Sequence, residues 1–328
     1  MSEQAPLTNF TAGDADGGTR IDAFLAARIE GWSRSRLQRL IADGDVLVNQ
    51  SAVKPSYKLR ENDEIDVDLT EVPTARFEPE DIPLDIVFED EYLAVINKPA
   101  GMVVHPGAGV TSGTLANAIA FHFGVSGVQP VSPGGEGQYP PNTSRVGIVH
   151  RLDKNTSGLI VVAKDEKTHE SLSDLFRDRK VRKVYVSLVH GNPRDNTGVI
   201  DRPMARDRWH RTKMTVAANG RNALSLWKVR TRFDKFALVE VEIKTGRTHQ
   251  VRVHLASINH PVVGDETYNE GRDNTVANID IKNAIRIMGR FFLHAEKLSF
   301  THPVTGEQMN FNQPLPTELL ELLDIIQE

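Results

Sequence analysis

Two apolar runs that read as buried strands, Val146–Val149 and Leu159–Ala163, are separated by His150-Arg151-Leu152-Asp153-Lys154-Asn155-Thr156-Ser157-Gly158. This arrangement constrains the fold strongly. If both runs are buried in a sheet, four ionisable side chains must gather at one end of it. Tight turns favour Gly, Asn, Asp and Ser, and this connection adds His, Arg and Lys. Loops held between rigid elements are where reactive side chains commonly sit. A structural alternative stands beside that reading. Asp153 could instead accept hydrogen bonds from the Thr156 and Ser157 amides and close an Asx-turn. The stretch alone supports both readings about equally.

The 328 residues exceed the usual size of one domain and predict two. Hydrophobic residues at 39% and charged residues at 25% describe an ordinary globular protein. No apolar run approaches the roughly 20 residues that span a bilayer, so no membrane partner is expected. Residues 1–18 are polar, lack the order of a signal peptide, and read as a disordered tail. The absence of cysteine excludes disulfides, thiolate nucleophiles and Cys-based zinc sites, and points to the cytoplasm. No metal-ligand spacing occurs, since His249 and His254 lie five apart. A net charge of −5 argues against a polyanionic partner until its distribution is considered. Between Glu61 and Glu91 stand thirteen acidic residues and one basic. Between Asp201 and His254 stand thirteen Lys/Arg against five acids. Such segregation is compatible with a nucleic-acid partner.

A compact unit is expected over 19–70. Ile21, Phe24, Leu25 and Ile29 fall at helical spacing, and Ser33 caps a second helix over Arg34–Ala42. Arg34, Arg36 and Arg39 project from that helix near its N-terminal end, where cations oppose the helix dipole. Strands follow at Val46–Asn49 and Glu64–Leu69. With Arg20-Ile21-Asp22, Ser33-Arg34-Ser35-Arg36 and Gly44-Asp45-Val46-Leu47-Val48-Asn49, this unit resembles the S4 RNA-binding domain. The resemblance implies that the basic helix holds structured RNA. The proline-containing acidic segment 71–83 reads as an extended linker.

The second unit is expected over 84–328. A hairpin is predicted from Ile86–Phe88 and Leu93–Ile96, and a Thr114-capped helix to Phe123. The Gly/Pro/Ser-rich segment 124–144 reads as a mobile loop. An Asp165-capped helix carries Leu172, Leu175 and Phe176 inward. Strands are expected at 184–189, Ala223–Thr231, Phe236–Ile243 and Phe292–Phe300, and helices at Thr248–Ile258 and Pro316–Ile326. Adjacent strands without intervening helices predict an α+β domain on a mixed, largely antiparallel sheet.

Three segments bear on the chemistry: Gly147–Gly158, Lys183-Val184-Tyr185-Val186, and Lys244-Thr245-Gly246-Arg247-Thr248-His249-Gln250-Val251-Arg252-Val253-His254. In order and in sequence they resemble the three active-site motifs of the RluA family of pseudouridine synthases. Arg76–Val87, Asn97-Lys98-Pro99 and His105-Pro106-Gly107-Ala108-Gly109 are similar to its RluD-type branch, which modifies large-subunit ribosomal RNA. The resemblance runs from Thr19 to the C-terminus. It implies isomerisation of uridine in RNA: the base leaves its N1 glycosidic bond, rotates, and rejoins the ribose through C5. No cofactor and no metal is implied.

Residue by residue, the resemblance makes Asp153 the essential carboxylate and Arg247 its counter-charge, opposing the rise in pKa that burial would cause. Tyr185 stacks on the base and removes the C5 proton. Arg151 fills the RNA stack that the uridine leaves, since flipping a base costs a few kcal/mol. His150 belongs to the substrate-binding loop and organises it. His249 and Gln250 brace Arg247. Arg202, Arg206, Arg208, Arg211, Lys213 and Arg252 are candidate RNA contacts, with affinity that falls as salt rises. The expected partner is large-subunit ribosomal RNA, bound by a monomer, at clustered uridines of one stem-loop. Another ribosomal site, a tRNA, and a non-catalytic ribosome-assembly factor are the rival readings. The intact set Asp153, Tyr185 and Arg247 disfavours the last of these. Asn155 stands where relatives carry an acid, and Trp209 and His210 fall in a variable segment.

Overall fold

A computed structural model describes residues 7–29, 34–43, 46–68, 78–105, 110, 112–124, 147–207, 209–210 and 213–328. The chain forms two compact units that meet in sequence between Phe77 and Glu78.

The N-terminal unit contains β1 (Leu7–Thr11), α1 (Ile21–Ala26), α2 (Arg34–Asp43), β2 (Val46–Val48), β3 (Ser51–Ala52) and β4 (Glu64–Asp68). Its sheet runs β1-β4-β2-β3. The expected disordered tail is therefore corrected. Leu7–Thr11 pairs antiparallel with Asp68–Glu64, and Phe10 packs edge-on against Phe24 at 6.1 Å. One aromatic anchor and five ladder positions order a segment whose composition reads as coil. Ile21, Phe24, Leu25, Leu37, Ile41, Val46 and Ile65 form the buried core, as their spacing predicts.

The C-terminal unit begins with β5 (Ile86–Glu89) and β6 (Leu93–Lys98), followed by α3 (Leu115–His122), β7 (Gly147–Ile148), β8 (Ser157–Ala163) and α4 (Glu166–Arg177). Then come β9 (Arg182–His190), β10 (Thr197–Asp201), β11 (Met204–Arg206), β12 (Met214–Val216), β13 (Leu224–Arg232), β14 (Phe236–Ile243) and α5 (Gln250–Ser257). The unit closes with α6 (Ile279–Met288), β15 (Leu293–Thr301), β16 (Gln308–Asn312) and α7 (Thr317–Gln327). A ten-stranded sheet has the order β10-β13-β14-β9-β15-β8-β6-β5, with β16 on β15 and β7 on β8. Its pairs are antiparallel except β15 with β8. This is the mixed, largely antiparallel sheet expected of the sequence.

All seven residues of β8 are buried, as the continuous apolar run requires of a strand covered on both faces. Leu159 and Val161 pack with Leu93, Val95, Leu172, Leu298 and Phe300, each side chain contributing about 1.5–3 kcal/mol by burial. Thr114 and Asp165 cap their helices as predicted, accepting from Asn117 N (3.3 Å) and Thr168 N (2.9 Å). The linker expectation over 71–83 is corrected for Glu78 to Pro83. Asn117 Nδ2 donates to Glu78 O at 2.7 Å, and Gly113 N to the Glu80 carboxylate at 3.0 Å. Glu78 to Pro83 is thus fastened to α3. Residues 69–77, and all of the loop expected over 124–144 except Gly124, lie outside the described residues.

Candidate active site

Strand register explains why distant residues meet. Tyr185 on β9 lies opposite Ala295 on β15, and Ala295 pairs in parallel with Gly158 on β8. Gly158 has φ of +111°, and a Cβ there would stand 2.3 Å from the Ala295 carbonyl oxygen. Only glycine fits that crossing. The approach brings the turn preceding β8 to the end of β9.

Within the turn, Thr156 N donates to the backbone carbonyl of Asp153 at 3.0 Å. The Asx-turn reading is therefore overturned, because main chain closes the turn and the carboxylate faces elsewhere. Asp153 Oδ2 accepts from Arg252 Nη1 at 3.2 Å. Arg252 is buried in the first turn of α5, and its Nε and Nη2 both donate to Asp265, each at 2.7 Å. Its guanidinium also stacks against Phe291 at 4.2 Å and Tyr268 at 4.9 Å. Burial opposes the charge, but the Asp265 hydrogen bonds and the two carboxylates more than offset it, so the Arg252 pKa lies above its ordinary value. Arg252 is therefore not an exposed RNA contact, as the sequence suggested. It takes the counter-charge position expected of Arg247.

The reason lies where α5 begins. The Gln250 carboxamide oxygen accepts from Thr245 Oγ1 (2.7 Å) and Arg247 N (3.0 Å), while its amide donates to Leu224 O and Ser225 Oγ. This binds 245–248 to the end of β13 and delays the helix from Thr248 to Gln250. Arg247 then donates through Nε to Asn222 O at 3.1 Å. Gln250 braces the Arg247 main chain as expected, but His249 does not. At a left-handed φ of 57°, His249 meets the Tyr268 hydroxyl through Nδ1 at 2.7 Å. The same hydroxyl accepts from Met214 N at 2.9 Å, so Tyr268 ties His249 to β12. Burial lowers the His249 pKa and keeps the ring neutral.

Tyr185 is 7% exposed. Burial, and after it the Asp153 charge, raises its hydroxyl pKa. It therefore stays a protonated phenol beside a carboxylate. His150 sits where it can organise the turn, as expected. It stacks on Phe176 at 4.6 Å and accepts from Val161 N at 3.0 Å. Burial, with Lys183 adding to it, lowers its pKa to about 3. These contacts make His150 an organiser of the turn. Arg151 is exposed, and its charge helps lower the pKa of both His105 and His249.

Three contributors carried no role in the sequence reading. Lys98 is completely buried, and its ammonium donates to Pro99 O, Met102 O and Lys154 O at 2.7, 2.9 and 3.1 Å. Burial and the Arg290 charge lower its pKa to about 7, against the pull of Asp153. Arg290 donates to Asn155 O (2.9 Å) and Ser157 Oγ (3.1 Å), holding the far side of the turn. Asp265 anchors Arg252. Around them opens a cleft of about 900 Å³, lined by Asp153, Lys154, His249, Arg252 and Asp265 and continuing to α6.

The expected RNA contacts divide. Arg206 is exposed on β11. Lys213 donates to Thr267 O at 3.0 Å, and Arg202 to Ser257 O at 2.7 Å. Arg208 and Arg211 lie outside the described residues. In the N-terminal unit, Arg34 pairs with the buried Asp22 at 3.1 Å, beside Arg20 at 2.8 Å. That carboxylate supplies a structural partner for a cation placed against the helix dipole. The side chains of Arg36 and Arg39 lie outside the described residues. Trp209 is 89% exposed beyond Asp207, whose carboxylate accepts from Trp209 N and His210 N.

Residues 92–257 match the family model described as RNA pseudouridylate synthase, and residues 19–65 match the S4 domain. The chain is 40% identical over 317 residues to YlyB of Bacillus subtilis, named an uncharacterized RNA pseudouridine synthase, covering 96% of this chain and 97% of that one. It is 40% identical over 315 residues to ribosomal large subunit pseudouridine synthase D of Zymomonas mobilis, covering 94% of each. Among solved structures, human RNA pseudouridylate synthase domain containing 4 matches at TM-score 0.54 and 26% identity, over 74% of this chain and 92% of that one. The ion-paired carboxylate of the turn thus lies within a matched catalytic domain, and the chain belongs to the RNA pseudouridylate synthase family, with an S4 domain ahead of the synthase domain.

Proposed function

We propose that the protein converts uridine to pseudouridine in large-subunit ribosomal RNA, with Asp153 as the essential carboxylate. The observation that carries this reading is Asp153 on the wall of a 900 Å³ cleft, paired at 3.2 Å with the buried Arg252. The large-subunit synthase name of the Zymomonas mobilis relative supports the substrate class. The reaction breaks the C1′–N1 bond of uridine and forms a C1′–C5 bond. The C5 proton leaves and N1 gains one, so no atom is lost beyond exchange with solvent. Asp153 acts on the ribose–base linkage, and the buried Arg252 guanidinium holds its carboxylate in position at 3.2 Å. Tyr185 offers its ring face to the uracil, and with its raised hydroxyl pKa it binds the base as a neutral phenol. Arg151 stands outside the cleft wall, where a planar cation can replace the extracted base in the RNA stack.

Carbodiimide mapping of pseudouridine in ribosomal RNA from a deletion strain tests the assignment. Loss of one cluster of large-subunit positions, restored by the wild-type chain, is expected. An unchanged map would contradict it.

A further inference from the structure

The cleft that holds Asp153 continues beyond it. Ligand pockets span about 300–1,000 Å³, so its 900 Å³ lies near the upper end, with room for more than one nucleotide. Its far wall is a single face of α6. Ile279, Lys282, Asn283 and Arg286 all line the cleft, and their spacing of i, i+3, i+4 and i+7 puts them on one side of the helix. Ile285 is 5% exposed and anchors the helix, while Asn278 caps its first turn through Asp280 N and Ile281 N.

The chemistry of that face is mixed in a particular way. Ile279 is 62% exposed, an aliphatic surface left uncovered beside two cations. The nearby carboxylates already have partners: the buried Asp265 is held by Arg252 at 2.7 Å and the half-buried Asp273 by His190 at 2.8 Å. Glu266 remains as an exposed acid on the lining. Lys282 spends one N–H on Asn274 O at 2.8 Å, which steadies the ammonium and leaves two protons for an anion.

We propose that this face of α6 is a subsite for the nucleotide adjoining the target uridine. Ile279 lies against its base or ribose, Lys282 and Arg286 meet its phosphate, and Asn283 reads a base edge or the 2′-hydroxyl. This rests on the RNA-synthase reading of the Asp153 cleft and extends it to substrate selection.

The test uses the full chain, an unmodified large-subunit rRNA transcript carrying tritium at uridine C5, and release of tritium to water. The double variant Lys282→Glu/Arg286→Glu is expected to raise KM at least tenfold with kcat within about twofold of wild type. Its log–log salt slope should fall by about 0.7, the value for one lost phosphate contact on single-stranded RNA. Ile279→Ala should raise KM without changing the salt slope. Unchanged KM and slope in the double variant, with the wild type active, would overturn the subsite alone. A parallel loss of kcat and melting temperature would mark α6 as scaffold and overturn it too. A wild type that releases no tritium would overturn the synthase reading, and the subsite with it.

Discussion

At the residue scale the account turns on which arginine serves Asp153. Arg247 and Arg252 share one motif, and local sequence does not choose between them. The choice is made by Gln250, which ties 245–248 to β13 and starts the helix two residues late. Asp153 and Tyr185 were legible because their motifs are local. Asp265, Lys98 and Arg290 were not, because their contacts join residues 13, 56 and 135 positions apart. Arg252→Met leaves Asp153 and Asp265 facing each other without a cation. It should cost about 3–5 kcal/mol in stability and lower kcat at least a hundredfold in tritium-release assays; a loss in KM alone would contradict the assignment. His150 makes a separate prediction. Its folded pKa of about 3 lies below its ordinary value of 6.5, so the unfolded chain binds the extra proton between those values. Stability is full above pH 6.5 and falls towards pH 3, by up to about 1.4 kcal/mol per unit. His150→Gln can still accept from Val161 N, so its acid limb should be shallower by that one-proton slope. Urea melts from pH 3 to 7 would show it, and coincident limbs would refute it.

At the scale of elements, strands with clear alternation or continuous burial were readable, including β8, β9 and β14. The exceptions have separate causes. In α6, Ile279, Ile281, Ile285 and Ile287 recur at even spacing, as in a strand, yet only Ile285 is buried. No element was read here, because the exposed Ile279 and Ile287 blur the helical apolar spacing. β10 to β12 are short and were missed for lack of periodicity. β1 was hidden by a coil-like composition. The parallel crossing of β8 and β15 depends on a missing side chain, and this can be tested. Gly158→Ala must accommodate a Cβ 2.3 Å from a carbonyl oxygen at φ +111°. It should cost more than about 3 kcal/mol and impair activity through the displaced turn. A thermal melt showing a loss below about 1 kcal/mol would contradict the packing.

At the scale of the molecule, a division into two units was legible in length and in the acidic, proline-containing segment, their S4 and synthase characters in local motifs, and the break falls between Phe77 and Glu78. The boundary was drawn too late because the acidic, proline-containing sequence of 78–83 gives no sign that Asn117 and Gly113 hold it. Removing residues 1–77 should weaken RNA affinity several-fold and flatten its salt dependence, with kcat at saturating RNA within about threefold of wild type. Filter binding alongside tritium release would separate the two effects, and unchanged affinity would count against an RNA-holding S4 unit.

The most direct test of the central claim is tritium release from C5-labelled rRNA transcript by purified Asp153→Asn, measured beside its RNA affinity and melting temperature. The account predicts release reduced by at least a thousandfold, with affinity and folding near wild type. Release at a rate near wild type would contradict it.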